Sequence, residues 1–310
     1  MRIAVMGSGG VGGYFGGLLA AAGEDVTFIA RGEHLAALRS GGLRIESVHG
    51  DFSVVPARAT DNPAEVGRVD LVLLATKTYQ LDEATRSLGP LFGPGTAVVP
   101  LLNGVDASDR LAAILGPEPV LGGLCYVGSY IAAPGVIKQV SAFRRVIVGE
   151  MDGQLTRRVE AIVAALARAG AVAEASSDIR QALWTKFTFI APFSGIGAVA
   201  RAPAGEITGC SETRALLARA MREVEAVARA RGVSLDPNVV PTTMAFCDAM
   251  APAQTASMQR DILDGKPSEL ESIVGVMVRL GEELAVPVPA FQFFYAALLP
   301  QEKRARTGAG

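Results

Sequence analysis

Histidine and cysteine are scarce in this chain of 310 residues: His34 and His49 are the only histidines, and Cys125, Cys210 and Cys247 the only cysteines. Two histidines, both near the N-terminus, exclude most histidine-based zinc sites and argue against a Ser-His-Asp triad. The cysteines are odd in number, far apart and without a Cys-x-x-Cys pair, which is the pattern of core thiols in a reducing compartment. No apolar run reaches the roughly 18 residues that a membrane span needs. The N-terminal MRIAVMG breaks into glycines too early for a secretory signal, so the expected location is the cytoplasm. Net charge is −2 with the basic residues scattered, so there is no footprint for nucleic acid. Lysine is also rare: Lys77, Lys138, Lys186, Lys266 and Lys303 are the whole set, and arginine carries the remaining positive charge. With no metal site expected, chemistry must come from a bound cofactor, a lysine or carboxylates.

What is present is half hydrophobic and rich in glycine, with 35 of them. The first half alternates short apolar runs with helical segments. Strands are expected at Arg2–Met6, Val26–Ala30, Val69–Ala75 and Thr96–Leu102, with a helix through Ala22 after the first. A hairpin is expected from Leu43–Ser47 and Phe52–Ala57, and an antiparallel pair from Gly135–Val140 and Arg145–Gly149. A helix at Thr156–Ala169 and a strand at Ala171–Ala175 complete this part. Strands alternating with helices predict parallel βαβ units, hence an α/β, doubly wound, Rossmann-type sheet. Beyond Ser177 the pattern turns helical, with helices expected at Gln181–Ile190, Glu212–Arg231, Pro241–Met250 and Glu269–Leu284. Leu217, Met221, Val224 and Ala228 form one apolar stripe. Ser268 and Glu271 have the spacing of a capping box. The expected layout is a nucleotide-binding domain over 1–177, a helical domain over 178–300 and a disordered polar tail over 301–310.

Gly7-Ser8-Gly9-Gly10-Val11-Gly12 matches G-x-G-x-x-G directly after a strand and at the mouth of a helix. Gly7 permits the tight turn, Gly9 lets the backbone approach a pyrophosphate, and Gly12 lets helix and strand pack closely. The helix N-terminus supplies N–H groups and a positive dipole end. NAD-preferring sites place an acidic residue at the end of the second strand to bind the ribose 2′-OH. Here Arg31 stands there, nineteen residues after Gly12, and a guanidinium suits a 2′-phosphate. The alternative is a solvated loop arginine. The chain is therefore expected to bind NADP(H) in preference to NAD(H). Two further strand ends open on the same crevice and offer Lys77 and Asn103 as contacts to cofactor or substrate, unless each is a polar residue that merely starts a loop.

Lys186 lies in ALWTKFTFI, a segment with no other charge and with the only tryptophan. It either snorkels at a surface or faces a site, where an ammonium can stabilise charge on a carbonyl oxygen and give up its proton. Glu269 falls in the first turn of a helix, where a carboxylate is favoured whatever its function. Ser257 can equally cap a helix.

With the fingerprint, Arg31, Lys77 to Gln80, Asn103-Gly104 and Trp184-x-Lys186 in order, the chain resembles the ketopantoate reductase family over nearly its full length. The resemblance implies a Rossmann domain joined to a helical domain like that of 6-phosphogluconate dehydrogenase. It also implies NADPH-dependent reduction of 2-dehydropantoate to (R)-pantoate, and a homodimer. On the same ground Lys77 and Asn103 match cofactor contacts, with Asn103 also touching substrate. Gly128 falls near a small residue whose backbone touches the cofactor. Lys186 matches the proton donor, Ser257-Met258 the substrate-binding pair, and Glu269 the carboxylate that supports the site.

The chain departs from the family pattern where two asparagines, four and eight residues after the lysine, bind substrate: Ile190 and Ser194 stand there. Ala204 replaces a third asparagine. Ser194 can still donate a hydrogen bond, whereas Ile190 and Ala204 cannot, and a site that loses such partners loses discrimination. Three functions follow in order: the 2-oxo acid reductase; a relative acting on a more apolar keto acid, ketone or imine; and a non-catalytic NADP(H) sensor.

Overall fold

The computed structural model describes residues 1–307. Its contacts divide the chain into two units: Met1–Leu102 with Ala107–Ile179, and Asn103–Asp106 with Arg180–Gly310. The strands are β1 (Arg2–Met6), β2 (Asp25–Ile29), β3 (Leu43–Ser47), β4 (Phe52–Val54), β5 (Arg58–Thr60), β6 (Leu71–Leu74), β7 (Ala97–Pro100), β8 (Leu121–Ala133), β9 (Val136–Glu150) and β10 (Val172–Ala175). The helices of the first unit are α1 (Gly10–Ala21), α2 (Gly32–Gly41), α3 (Leu81–Ser87), α4 (Ala107–Leu115) and α5 (Arg157–Arg168).

One sheet runs β5-β2-β1-β6-β7 with every neighbour parallel. Parallel strands need cover on both faces, and β1 shows how the pleat supplies it. Ile3 and Val5 join a core on one face with Phe15 and Phe28, while Ala4 and Met6 join a core on the other with Leu74 and Leu81. The chain leaves β1 for β2 on one side and reaches β6 on the other. The carboxyl ends of β1 and β6 are therefore the topological switch point where open α/β sheets bind ligands.

The second sheet runs β10-β9-β3-β4, with β8 paired to β9. The expected hairpin of β3 and β4 forms, with Leu43 opposite Val54. The expected antiparallel pair of Gly135–Val140 and Arg145–Gly149 does not: from Val136 onward both lie in the single strand β9, and their antiparallel partner is β8. The turn signal sits before β9, at Pro134-Gly135, with φ +76° at Gly135. The polar run after Val140 stays extended because Ser141 is held on both sides. It accepts the Gly128 N–H at 2.8 Å and donates to the Phe143 carbonyl at 3.0 Å.

The second unit contains α6 (Ile179–Ala200), α7 (Ala204–Gly209), α8 (Ser211–Ala230), α9 (Val239–Asp248), α10 (Ser257–Leu263), α11 (Val276–Glu283) and α12 (Pro289–Thr307). The stripe Leu217, Met221, Val224 and Ala228 is fully buried. The helix expected to stop at Ile190 continues ten residues further despite Pro192. The proline removes one helical N–H, but 191–198 is buried throughout, and that packing outweighs the loss.

Two expectations near the C-terminus are corrected together. Ser268 does not form a capping box with Glu271, whose carboxylate accepts from the Tyr295 hydroxyl at 2.6 Å. The partner of Ser268 is Glu302, which accepts its N–H at 3.1 Å and its hydroxyl at 2.5 Å. Residues 301–307, expected to be disordered, are the end of α12, and Glu302 is 2% exposed. Positions 308–310 of that tail lie outside the described residues.

Candidate active site

At the switch point the chain leaves β1 through Gly7 at φ +91°, where a Cβ would stand 2.7 Å from the Thr76 nitrogen. A Cβ on Gly12 would overlap the Gly7 carbonyl oxygen, whereas Gly9 has nothing within 4 Å of where its Cβ would be. The loop is therefore closed against the sheet on one side and open at Gly9, the cradle that a pyrophosphate requires. The first turn of α1 holds no acidic residue, so its unsatisfied N–H groups and dipole meet no opposing charge. Ser8 turns its hydroxyl away, donating to the Ile29 carbonyl at 3.1 Å, and is 3% exposed. Val11 packs against the core beneath the loop. A Cβ on Gly10 would overlap the Ser129 carbonyl, because β8 crosses the helix start there.

Arg31 is the residue just before α2, with its side chain 73% exposed, and its Nη2 meets Glu83 Oε1 at 3.0 Å. Lys77 follows β6 and precedes a 3-10 turn at Thr78–Gln80. Gly128 lies at a register shift in β8, and its N–H is already given to Ser141.

His34 belongs to this loop although the sequence offered no reason to single it out. Its Nδ1 accepts the Gly135 N–H at 3.1 Å, so the ring proton resides on Nε2 and is donated to the Ser8 carbonyl at 2.9 Å. Burial depresses its pKa, the bond to Ser8 opposing the shift.

In the second unit three of the expected residues come together. Trp184 and Phe187, edge to face at 5.7 Å, fix the start of α6 and present the half-buried Lys186. Lys186 Nζ donates to Asn103 Oδ1 at 3.0 Å, and Asn103 Nδ2 donates to Glu269 Oε2 at 3.4 Å. The amide is thus oriented by an ammonium on one end and a carboxylate on the other. Glu269 is 6% exposed. The Asn103–Asp106 loop is held by its own neighbours. A Cβ on Gly104 (φ +104°) would lie 3.0 Å from the Ser272 carbonyl oxygen, and Asp106 pairs with Arg279 at 3.5 Å. Just beyond Glu269 the helix opens into a π turn at Glu271–Gly275, a form that recurs at functional sites.

The other expected substrate residues stand apart from this cluster's hydrogen bonds. Ser257 is the half-buried first residue of α10. Ser194 is 1% exposed, and its hydroxyl has no partner among the described residues. Ile190 packs against the helical core, and Ala204 is 1% exposed. Among the described residues no three His, Cys, Asp or Glu side chains gather to hold a metal ion, and no helix is long and apolar enough to cross a membrane.

A glycine loop at the switch point of a parallel sheet, followed in the chain by a helical unit with a joined Lys-Asn-Glu cluster, defines an oxidoreductase of the Rossmann class. Residues 3–153 match the model described as ketopantoate reductase PanE/ApbA, and residues 178–302 the model of its C-terminal part. The chain is 32% identical to an oxidoreductase of Bacillus subtilis, YkpB, over 96% of this chain and 98% of that one. It is also 32% identical to a 2-dehydropantoate 2-reductase of Mesorhizobium japonicum, over 93% of this chain and 94% of that one. A PanE/ApbA family ketopantoate reductase from Ralstonia eutropha superposes with a TM-score of 0.91 at 32% identity, covering 99% of this chain and all of the other. The chain belongs to the ketopantoate reductase family.

Proposed function

We propose that this enzyme reduces a 2-oxo acid to a 2-hydroxy acid with NADPH, and that its substrate is 2-dehydropantoate, yielding (R)-pantoate. The observation that carries the reading is the continuous path from Lys186 through Asn103 to Glu269. The names of the relatives above support it.

The Gly7–Gly12 loop would hold the pyrophosphate at its open Gly9 face, and Arg31 the 2′-phosphate. Lys77, Asn103 and the carbonyl side of Gly128 would add contacts. The bound dinucleotide supplies the hydride for the keto carbon. Lys186 stabilises the negative charge that develops on the keto oxygen and transfers its proton there. Asn103 keeps the ammonium aimed, since its Oδ1 is committed to Lys186 while its Nδ2 faces Glu269. Glu269 keeps the amide from flipping and balances the ammonium's charge. Ser257 orients the substrate, with Ser194 as a further donor.

A second reading is favoured by Ile190 and Ala204. Both positions are apolar and packed in the helical core, which suits a more apolar keto acid, ketone or imine. Oxidation of NADPH measured against 2-dehydropantoate and a panel of bulkier apolar 2-oxo acids separates the two. Negligible turnover of 2-dehydropantoate beside brisk turnover of an apolar acid removes the named substrate. On the true substrate, Lys186→Ala is expected to lower kcat/KM by about 10²- to 10⁴-fold. Near wild-type activity would remove the assignment of the acid.

A further inference from the structure

The Arg31–Glu83 pair carries a consequence for cofactor choice. Arg31 lies two residues beyond the end of β2, where a dinucleotide's adenosine ribose is read, and its guanidinium is open to solvent. Glu83 reaches it at 3.0 Å from the first turn of α3, with its own side chain 70% exposed. The neighbouring acid, Asp82, is already engaged by Arg110, whose Nε and Nη2 reach Asp82 Oδ1 at 3.1 and 2.7 Å. Glu83 is thus the carboxylate that Arg31 faces. A 2′-phosphate arriving at Arg31 must displace that carboxylate or sit beside it against like charge. A 2′-hydroxyl meets no such conflict. It can donate to Glu83, which has acceptor sites to spare while paired with arginine.

We infer that Glu83 sets the depth of the NADPH preference: it competes with the 2′-phosphate for Arg31 and accepts the 2′-hydroxyl of NADH. The inference rests on the reading of Arg31 as the 2′-phosphate residue. Glu83 touches the discriminating end of the cofactor and has no part in the reduction itself.

The test is equilibrium binding without keto acid, titrating the enzyme with NADPH and with NADH and following dinucleotide fluorescence. Exposed ion pairs are worth at most about 1 kcal/mol, or about fivefold in affinity. Glu83→Gln is therefore expected to tighten NADPH about three- to fivefold, to leave NADH equal or weaker, and to lose much of this gain at 0.5 M salt. In Arg31→Gln the further change of Glu83 is expected to tighten NADPH less than it does beside Arg31, since only the relief of like charge remains. If Arg31→Gln reduces the NADPH:NADH affinity ratio but Glu83→Gln leaves it within twofold of wild type, the inference is overturned and the Arg31 assignment stands. If Arg31→Gln leaves the ratio unchanged, both fail. Both side chains are exposed, so an unchanged melting temperature verifies the fold of each variant.

Discussion

Glu302→Ala should destabilise the helical unit by about 3–4 kcal/mol, although the residue lies in a polar, charged stretch eight positions before the last. The carboxylate is 2% exposed and accepts three bonds from the fully buried Ser268: two from its N–H at 3.1 Å and one from its hydroxyl at 2.5 Å. Arg306 pairs with it at 2.6 Å and donates to the Ser268 carbonyl at 3.0 Å. Hydrogen bonds to charged groups contribute about 1.5–3 kcal/mol each, and orphaning a buried charge costs about 3–5 kcal/mol. The Arg306 side chain is 36% exposed and can turn to water, which brings the total towards the lower end. For a unit of this size, between the small and large domain classes, that corresponds to a drop of roughly 12 °C in its melting transition. Scanning calorimetry on the full chain measures it, with urea denaturation as the second observable. Glu302→Gln, which keeps the shape but turns a donor towards Ser268, should lose about half as much. A loss under about 1 kcal/mol for Glu302→Ala would mean that the end of α12 is not part of the folded unit and that the argument is wrong.

Two further predictions concern the glycine loop. Gly9→Ala should leave the melting temperature within about 1 °C of wild type, since nothing lies within 4 Å of the added methyl, yet weaken dinucleotide binding by at least about tenfold, because the methyl stands where a pyrophosphate approaches the backbone. Gly12→Ala, whose methyl overlaps the Gly7 carbonyl, should lower both stability and binding, and equal effects of the two substitutions on melting would refute the distinction. For His34, burial lowers the folded pKa from its ordinary 6.5, so the unfolded chain binds the proton more readily. The resulting stability is fully present above about pH 6.5 and is lost as pH falls from there through the lowered folded value. His34→Gln should flatten that acid limb in a pH series of urea titrations; an unchanged slope would show that another group causes it.

The parallel sheet was legible because β1, β6 and β7 are buried on both faces and therefore read as continuous apolar runs. The glycine loop was legible because Gly7 and Gly12 are required by backbone approach on a scale of a few ångström, which the motif spacing encodes directly. β8 was missed for the converse reason. Its first half, LGGLC, is interrupted by glycines that exist only because Ile179 and Val99 press on the backbone, within 2.5 Å of where a Cβ would be. Such glycines resemble a turn in one dimension. The C-terminal tail was misread because Glu302 and Arg306 look like surface charges until Ser268, more than thirty residues earlier, is seen between them. Asn103 and Lys186, 83 residues apart, were singled out separately, but nothing local states that one donates to the other. Glu83 and His34 carried no signal beyond ordinary helix composition, because their partners are a loop arginine and two backbone groups.

The positions that depart from the family pattern stand apart from the hydrogen bonds that join Lys186, Asn103 and Glu269, and α6 sets them out in order. Lys186, Ile190, Ser194 and Gly197 follow at spacings of four, four and three, so they form one stripe along the helix. The polar end of that stripe, Lys186, is held by Asn103, and Asn103 in turn by Glu269; Ile190 and Ala204 have no side-chain polar atom to add to that path, and Ser194 adds no hydrogen bond among the described residues. Further along, Ile190 serves the core, and the buried Ser194 hydroxyl has no partner among the described residues. At Gly197 the stripe meets Gln259, whose Oε1 would lie 2.6 Å from a Cβ there and itself accepts no bond among the described residues. Its Nε2 is spent on the Ala202 carbonyl at 3.0 Å. The absent α6 asparagines are thus not replaced in kind. The remaining polar atoms, Ser194 Oγ and Gln259 Oε1, are buried. A chain that had lost reduction altogether would have no reason to keep an ammonium, an amide and a carboxylate in series. This one holds all three in series, and the positions that differ from the family pattern lie buried or half-buried in the helical core.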